Sequence, residues 1–445
     1  MRSIKVGIIG LGNIGCGTMQ ILTENREILS ERVGATIDVV YAADLDLNRP
    51  RPVDVPQSIL TTDAMDILRD PQVQIVVELI GGIEPARSYI LEAIENGKHV
   101  VTANKALLSE HWQELVEKAE EKGVSLLYEG SVGGGIPLIR TIKVGLVANR
   151  IRSVTGIING TCNYILSKMS SEKLAFDEAL SMAQEKGYAE ADPAMDVEGI
   201  DAAQKLSILV NQCFDVPMSY KDLPYQGITE LTSMDLEMAE EFGYRIKLLA
   251  SARSTTRNSN REVEAWVHPA LVPEKHPLAA VDNVFNAVYI EDDNLGPSLY
   301  YGRGAGALPT GSAVVADIVS CSRDILSGAV GRVPVGGNRQ GPVGQQRNSQ
   351  LARDNVSEFY VRVTARDRPG VLSAISGLLG KSEISISSVI QRGRELVDGG
   401  GVPIVMIIHE TSYARMIQAL SDLDAMDVTL GKSFYMRILS EEKDQ

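Results

Sequence analysis

Lys5-Val6-Gly7-Ile8-Ile9-Gly10-Leu11-Gly12-Asn13-Ile14-Gly15 is the stretch that decides the fold. An apolar run of strand length enters a GxGxxG turn, and a helix-like segment, Thr18 to Val33, follows it. Glycines at these spacings permit a tight turn, close approach of backbone to a pyrophosphate, and close helix–strand packing. A helix N-terminus then faces the phosphates. Working outward, strand-like and helix-like segments alternate: Ile37 to Ala43, Val73 to Leu79, Tyr89 to Glu95 as a helix, and His99 to Thr102. This alternation predicts a parallel sheet covered by helices.

The expected class is therefore α/β, with a Rossmann-type doubly wound nucleotide domain over residues 1–130. A return segment at about 303–330 completes it. Gly10, Gly12, Asn13, Ile14 and Gly15 are its candidate cofactor-binding residues. Asp44 ends the second strand and suits the ribose hydroxyls of NAD. Arg49 and Arg51 stand near enough in sequence to meet a 2′-phosphate instead, and a loop-capping Asp with solvated arginines is the bland alternative. The cofactor is read as NAD or NADP, with Asp44 favouring NAD.

From 131 to 302 the pattern becomes mixed α+β, with helices expected at Phe176 to Lys186 and Asp201 to Asn211. A further helix is expected at Ser312 to Leu326. Residues 331–356 are rich in Gly, Arg, Gln, Asn and Pro and read as a mobile linker. Residues 357–445 read as strand-helix-strand-strand-helix-strand, a separate ferredoxin-like domain. Its candidate elements are Phe359 to Thr364, Val371 to Leu379, Ile384 to Gln391, Ile404 to His409 and Ala414 to Asp422, with a loop at Asp398-Gly399-Gly400-Gly401.

Composition narrows the classes. A net charge of −15 repels polyanions and argues against nucleic-acid binding. The apolar runs are only strand-length and the opening residues read as a strand, so neither a membrane span nor a signal peptide is expected. Cytoplasm is the default. Four cysteines without a CxxC suggest neither a disulfide framework nor a zinc site. His99, His111, His268, His276 and His409 are not paired at metal-binding spacing, which counts against a zinc alcohol dehydrogenase.

Four further stretches carry a resemblance: Thr102-Ala103-Asn104-Lys105-Ala106; Glu129 to Pro137; Asn159-Gly160-Thr161-Cys162-Asn163-Tyr164; and Gly187 to Asp192 continuing through Asp196, Gly199, Asp201 and Lys205. With the glycine turn they resemble homoserine dehydrogenase over residues 1 to about 330. Alcohol oxidation needs a hydride acceptor and a group that manages the hydroxyl proton, a role a lysine fills when its pKa is lowered. Asp201 and Lys205 are four apart and share a helix face, although such a pair in an arbitrary helix is usually a surface ion pair.

The resemblance implies that Lys205 is the proton donor and acceptor, that Asp201 holds the reacting oxygen, and that Lys105 is a second lysine at the centre that also touches substrate and cofactor. It implies that Glu190 and Asp196 bind the substrate ammonium, with helix capping or solvated charge as the alternative. Gly302, opening Gly302-Arg303-Gly304-Ala305-Gly306, is implied beside the cofactor. Glu129 with the carbonyls of Val132, Gly134 and Ile136 resembles a monovalent cation site, for which sodium is the implied ion, and a glycine-rich interdomain connection explains these residues equally well. Cys162 also admits a nucleophile reading, but no histidine lies near it in sequence, so a structural role is preferred.

Asp367-Arg368-Pro369-Gly370-Val371-Leu372 and Ile384 to Ser388 resemble an ACT domain. Asp367, Pro369, Gly370 and Val371 would then be regulatory, with L-threonine as effector. A dimerisation module without ligand is the alternative. The implied reaction interconverts L-homoserine and L-aspartate 4-semialdehyde in threonine, methionine and isoleucine biosynthesis, in a homodimer or homotetramer. Another amino-acid dehydrogenase and an inactive amino-acid sensor are the competing readings. No kinase-like segment precedes the glycine turn, so an aspartokinase fusion is not expected.

Overall fold

A computed structural model describes residues 2–257, 260–336, 349–352, 354–391 and 401–440. Six parallel strands form the first sheet: β1 (Ser3–Ile9), β2 (Thr36–Ala43), β3 (Leu60–Thr61), β4 (Ile75–Glu78), β5 (His99–Thr102) and β6 (Leu126–Leu127). Their order is β3-β2-β1-β4-β5-β6. Helices cover both faces, which is why β4 reads as an unbroken buried run rather than an alternation. The order reverses between β1 and β4, and the glycine turn sits at the end of β1 beside that crevice.

One helix was expected over Thr18 to Val33, but the chain forms two. α1 (Asn13–Glu24) starts directly after the glycines, and α2 (Arg26–Val33) follows a break at Asn25. Asn25 has φ −102° and ψ 18°, outside the helical well. A short amide side chain disfavours a helix interior. The remaining helices of this domain are α3 (Ala64–Arg69), α4 (Ala86–Glu95) and α5 (Lys105–Lys122).

The chain then passes α6 (Leu138–Arg140), which runs on into one π turn at Thr141–Gly145. An antiparallel sheet follows, built from β7 (Ile151–Ile157), β8 (Tyr244–Arg257), β9 (Asn260–Pro273), β10 (Phe285–Asp292) and β11 (Gly296–Arg303). Its helices are α7 (Gly160–Glu172), α8 (Phe176–Glu185), α9 (Ala194–Val197), α10 (Ile200–Phe214) and α11 (Ser233–Glu241). α12 (Ala307–Ser327) returns to the nucleotide domain and crosses α1 at glycines. A Cβ on Gly17 would lie 2.3 Å from the Ala307 carbonyl oxygen, so no larger residue allows this approach. Among the described residues, no helix is long and apolar enough to cross a membrane.

The C-terminal part holds β13 (Val356–Arg366), α13 (Val371–Lys381), β14 (Ile386–Ile390), β15 (Gly401–Ser412), α14 (Tyr413–Asp424) and β16 (Phe434–Ile438), after a short β12 (Ser349–Leu351). This is the expected ferredoxin-like pattern, but it is not detached. β16 pairs parallel with β9, Arg437 opposite Ala270 and Ile438 opposite Leu271, so the two sheets form one of ten strands. Asp235, fully buried in α11, accepts from Tyr360 Oη at 2.7 Å and from Arg362 Nε at 2.9 Å across the seam.

The stretch expected to be a mobile linker is also anchored at both ends. The Val335 carbonyl accepts from Tyr128 Oη and Lys143 Nζ, each at 2.9 Å, and β12 pairs with β9. Residues 337–348 and 353 lie outside the described residues. So do Asp398, Gly399 and Gly400, while Gly401, expected in the same loop, begins β15.

Candidate active site

At the nucleotide turn, Gly10 has φ +102°, and a Cβ there would meet the Leu79 carbonyl oxygen at 2.8 Å. A Cβ on Gly15 would stand 2.0 Å from the Gly10 oxygen. Gly12 caps α1 with nothing within 4 Å of its Cβ position, and no side chain occupies the helix cap. Asn13 and Ile14 are therefore the first helical residues behind an open, amide-rich helix end, the electrostatics that suit a pyrophosphate.

Asp44 lies at this turn, its Oδ2 accepting from the Leu11 amide at 3.0 Å. Arg51 folds back over it, 3.7 Å from Asp44 Oδ2, and donates to the carbonyls of Asp46, Leu47 and Arg49. Arg51 is thus committed to its own loop.

Lys105 is placed by a network that sequence reading missed. Glu78, at the end of β4 and fully buried, accepts from Thr102 Oγ1 at 2.7 Å and from the Ile80 and Gly81 amides. Burial pushes its pKa up. Thr102 Oγ1 also accepts from the Asn104 amide. Asn104 caps α5, accepting from the Leu107 amide at 3.1 Å and donating to the Gly82 carbonyl at 2.8 Å. Lys105 is the first residue of that helix.

From the other domain, the first turns of α10 present Asp201 and Lys205. Lys205 Nζ lies 2.7 Å from Asp201 Oδ2 and Lys105 Nζ lies 3.1 Å from Oδ1, so two lysines from two domains share one carboxylate. The Lys205 ammonium also donates to the Ile158 carbonyl at 2.8 Å. The pair on α10 is buried, with side chains 8% and 10% exposed, whereas Lys105 is 39% exposed at the mouth.

Burial opposes the charge of Asp201, but Lys205 and Lys105 outweigh it and hold the carboxyl at about 2. The Lys105 pKa is raised by Asp201, against burial, with Asp196 and Glu190 adding to the rise. The shift at Lys105 is upward because three acids face one ammonium.

Asn159 is the second residue that sequence reading gave no role. Its Nδ2 donates to Asp196 Oδ1 at 2.7 Å and Asp201 Oδ2 at 2.8 Å, while its Oδ1 caps α7 through the Cys162 amide. Asp196 is raised by burial despite this bond. Glu190 is exposed at the rim. Cys162 is fully buried, its thiol donates to the Asp196 carbonyl at 3.1 Å, and burial raises its pKa well above the ordinary thiol value. A thiol held protonated in this way is no nucleophile. All four cysteines are free and buried.

Glu129 is buried where the domains meet. Its carboxylate accepts from the Ile139 and Arg140 amides at 2.9 and 2.7 Å, and its own amide donates to Asp317 at 2.8 Å. Burial and Asp317 lift Glu129 to about 7, and burial lifts Asp317 to about 6. Val132 and Ile136 are buried beside it, and a Cβ on Gly134 would stand 2.4 Å from the Gly304 oxygen. Gly302, on β11, packs against Ile136, and the loop after it reaches α1. In the C-terminal domain Gly370 has φ +88° before α13, Asp367 and Pro369 are exposed, and Val371 is buried in the core.

Comparison with known proteins identifies the family. A family model described as homoserine dehydrogenase matches residues 137–319, its NAD-binding domain matches 10–129, and an ACT domain matches 359–425. A homoserine dehydrogenase of Neisseria gonorrhoeae is 42% identical, covering 96% of each chain. That of Pseudomonas aeruginosa is 42% identical over 98% of this chain and 99% of its own. The crystal structure of a homoserine dehydrogenase from Thiobacillus denitrificans superposes with a TM-score of 0.89 at 42% identity, covering 99% of each chain. A glycine turn at the switch point, two lysines closing on one buried aspartate, and relatives matched end to end place this chain in the homoserine dehydrogenase family, NAD(P)-dependent oxidoreductases acting on a CH–OH group.

Proposed function

We propose that the chain interconverts L-homoserine and L-aspartate 4-semialdehyde, with Lys205 moving the proton at the substrate oxygen. The observation that carries this is the convergence of Lys205 and Lys105 on Asp201 across the domain seam. A bound nicotinamide supplies or accepts the hydride. An ammonium has three N–H donors. Lys205 spends two on Asp201 and Ile158, which leaves one for the hydroxyl or aldehyde oxygen. Asp201, ionised at about 2, accepts hydrogen bonds but has no proton to give, so it can hold the hydroxyl of the alcohol and not the aldehyde oxygen. Its service to the aldehyde is to fix the two ammonium groups. Lys105, half-exposed at the mouth, lies where substrate and cofactor enter. Asp196 and Glu190 give the pocket the negative charge that a substrate ammonium needs.

The finer readings belong to the same proposal. Asp44 favours NAD, supported by Arg51 being tied to its own loop. Sodium at Glu129 is supported by two buried carboxylates whose ionisation a cation would restore. L-Threonine as effector rests on the ACT match. Homo-oligomerisation is supported by the half-exposed apolar residues Leu299 and Tyr301 on the edge strand β11. The cytoplasm fits four free cysteines.

The test is formation of reduced cofactor from L-homoserine, with NAD and NADP in parallel. Turnover by the wild type and its loss in Lys205→Ala is the expected result. Folded protein that binds nucleotide but turns over neither substrate with either cofactor overturns the reading.

A further inference from the structure

A single buried amide spans two carboxylates of the catalytic corner. Asp196 lies in α9 and Asp201 in the first turn of α10, with Glu198 and Gly199 between the two helices. Asn159 Nδ2 donates to Asp196 Oδ1 at 2.7 Å and to Asp201 Oδ2 at 2.8 Å. A carboxamide nitrogen carries two hydrogens, and here both are spent on acids. The amide cannot turn over. Asn159 caps α7, and its Oδ1 accepts from the Cys162 amide at 2.8 Å. Reversed, the group would aim an N–H at an N–H and an oxygen at two carboxylates. The helix cap therefore dictates which atom faces the acids.

The turn that carries Asn159 is held from several sides. Just before it, the Ile158 carbonyl accepts from Lys205 Nζ at 2.8 Å. Just after it, a Cβ on Gly160 would lie 2.8 Å from the Val284 carbonyl oxygen, a clash that only glycine avoids. The Thr161 hydroxyl donates to the Tyr188 carbonyl at 2.8 Å. One turn further, Asn163 Nδ2 donates to the carbonyls of Val281, Asn283 and Phe285, at 3.1, 2.9 and 3.2 Å. Asn159 itself is 4% exposed. Lys205, Asp201 and Asp196 are thus all referred to two adjacent residues at the end of β7, on a frame that packing and hydrogen bonds keep rigid.

Two acceptors on one amide nitrogen stand about 5 Å apart, because its N–H bonds diverge by about 120°. Under the proposed reaction, Asp196 faces the substrate ammonium and Asp201 its hydroxyl, so this spacing sets the span between the two polar ends of the substrate. L-Homoserine has three carbons between those ends. Adding or removing a methylene changes the reach of an extended chain by about 1.2 Å, enough to break a hydrogen bond. We propose that Asn159 is a positioning residue that sets the chain length of the substrate, selecting a γ-hydroxy amino acid over its shorter and longer homologues. It acts through the carboxylates, by fixing Asp196 against Asp201 and Lys205. Without the shared amide the two acids repel each other and the span widens. The inference rests on the proposed interconversion of L-homoserine and its aldehyde.

The experiment compares steady-state turnover of L-homoserine and of its δ-hydroxy homologue, one methylene longer, by the full chain as wild type, Asn159→Ser and Asn159→Asp. Both replacements keep a side-chain oxygen able to cap α7, and neither offers the paired N–H groups. Nucleotide binding by fluorescence reports that each variant is folded. In both variants kcat/KM for L-homoserine should fall about 10²-fold. The preference for L-homoserine over the longer homologue should narrow about tenfold or more. Retention of kcat/KM within about twofold in either variant overturns the proposal. An undiminished preference overturns it too, including a homologue that neither variant turns over, since Asn159 would then support the site without measuring the substrate. Absence of L-homoserine turnover by the wild type overturns the reaction and this inference together, whereas the other two outcomes overturn the inference alone.

Discussion

Two clusters of buried carboxylates lie where the nucleotide and catalytic domains meet, and their electrostatics run in opposite directions. At the catalytic corner, Asp201 has an ammonium on each oxygen and an amide from Asn159, and its pKa sits at about 2. At the domain junction, Glu129 and Asp317 face each other, and the nearest guanidinium, Arg140, is 3.3 Å from Asp317 and 43% exposed. There the values rise to about 7 and about 6. Burial penalises charge in both places. What differs is the count of cations in contact, and it shows that a buried acid here is ionised where a second domain delivers its counter-charge.

The largest effect should come from breaking the first cluster at Lys205, the member proposed to move the proton. Lys205→Met is expected to lower kcat by roughly 10²–10⁴-fold while nucleotide affinity is retained, read by steady-state turnover and fluorescence titration. Next, Asp201→Ala strands two ammonium groups, one of them buried. It should cost about 3–5 kcal/mol of unfolding free energy by urea denaturation. A loss below about 1 kcal/mol would mean that the corner relaxes and lets water in.

The two clusters also predict opposite pH windows. Asp201 has a folded pKa below its ordinary value of 3.8, so the stability it contributes is present above that pH and is lost as pH falls toward about 2. Glu129 has a folded pKa above its ordinary 4.5, so its contribution is present below that pH and is lost as pH rises through about 7. Denaturation midpoints across this range, in sodium and in a bulky organic cation, sharpen the contrast. Sodium should restore stability near neutral pH in the wild type by a few kcal/mol at most and do nothing in Glu129→Gln. An equal effect in both proteins would remove Glu129 from any cation site. The smallest effect should come from the exposed acid at the catalytic rim: Glu190→Gln is expected to raise KM for L-homoserine about tenfold with kcat nearly unchanged.

Much of this was legible in the sequence because it is local. The glycine turn, β5 at His99–Thr102, and the spacing of Asp201 and Lys205 on one helix all follow from periodicity within a few residues. The Glu78–Thr102–Asn104 network and the bridge from Asn159 to two aspartates were not legible. Glu78 reads as the end of an apolar strand and Asn159 as one letter of a motif, and only the fold shows what each holds. The break at Asn25 was missed because apolar residues on both sides keep helical spacing. The fused sheet was missed because a parallel pairing between β9 and β16 leaves no short-range signal at all.

That fusion has a consequence for how the chain reaches its native state. β9 pairs with β8 and β12, but it cannot acquire β16 until that strand has been synthesised, and β13, β15 and β16 must assemble together to present it. Contacts of such long sequence separation form late and slowly. Until they form, the end of the β9 edge at Ala270 and Leu271 lies open to pairing with other chains, and Asp235 waits without Tyr360 and Arg362. The C-terminal domain thus serves as the last shutter over the catalytic sheet, and a protein shortened before β13 would carry an adhesive edge.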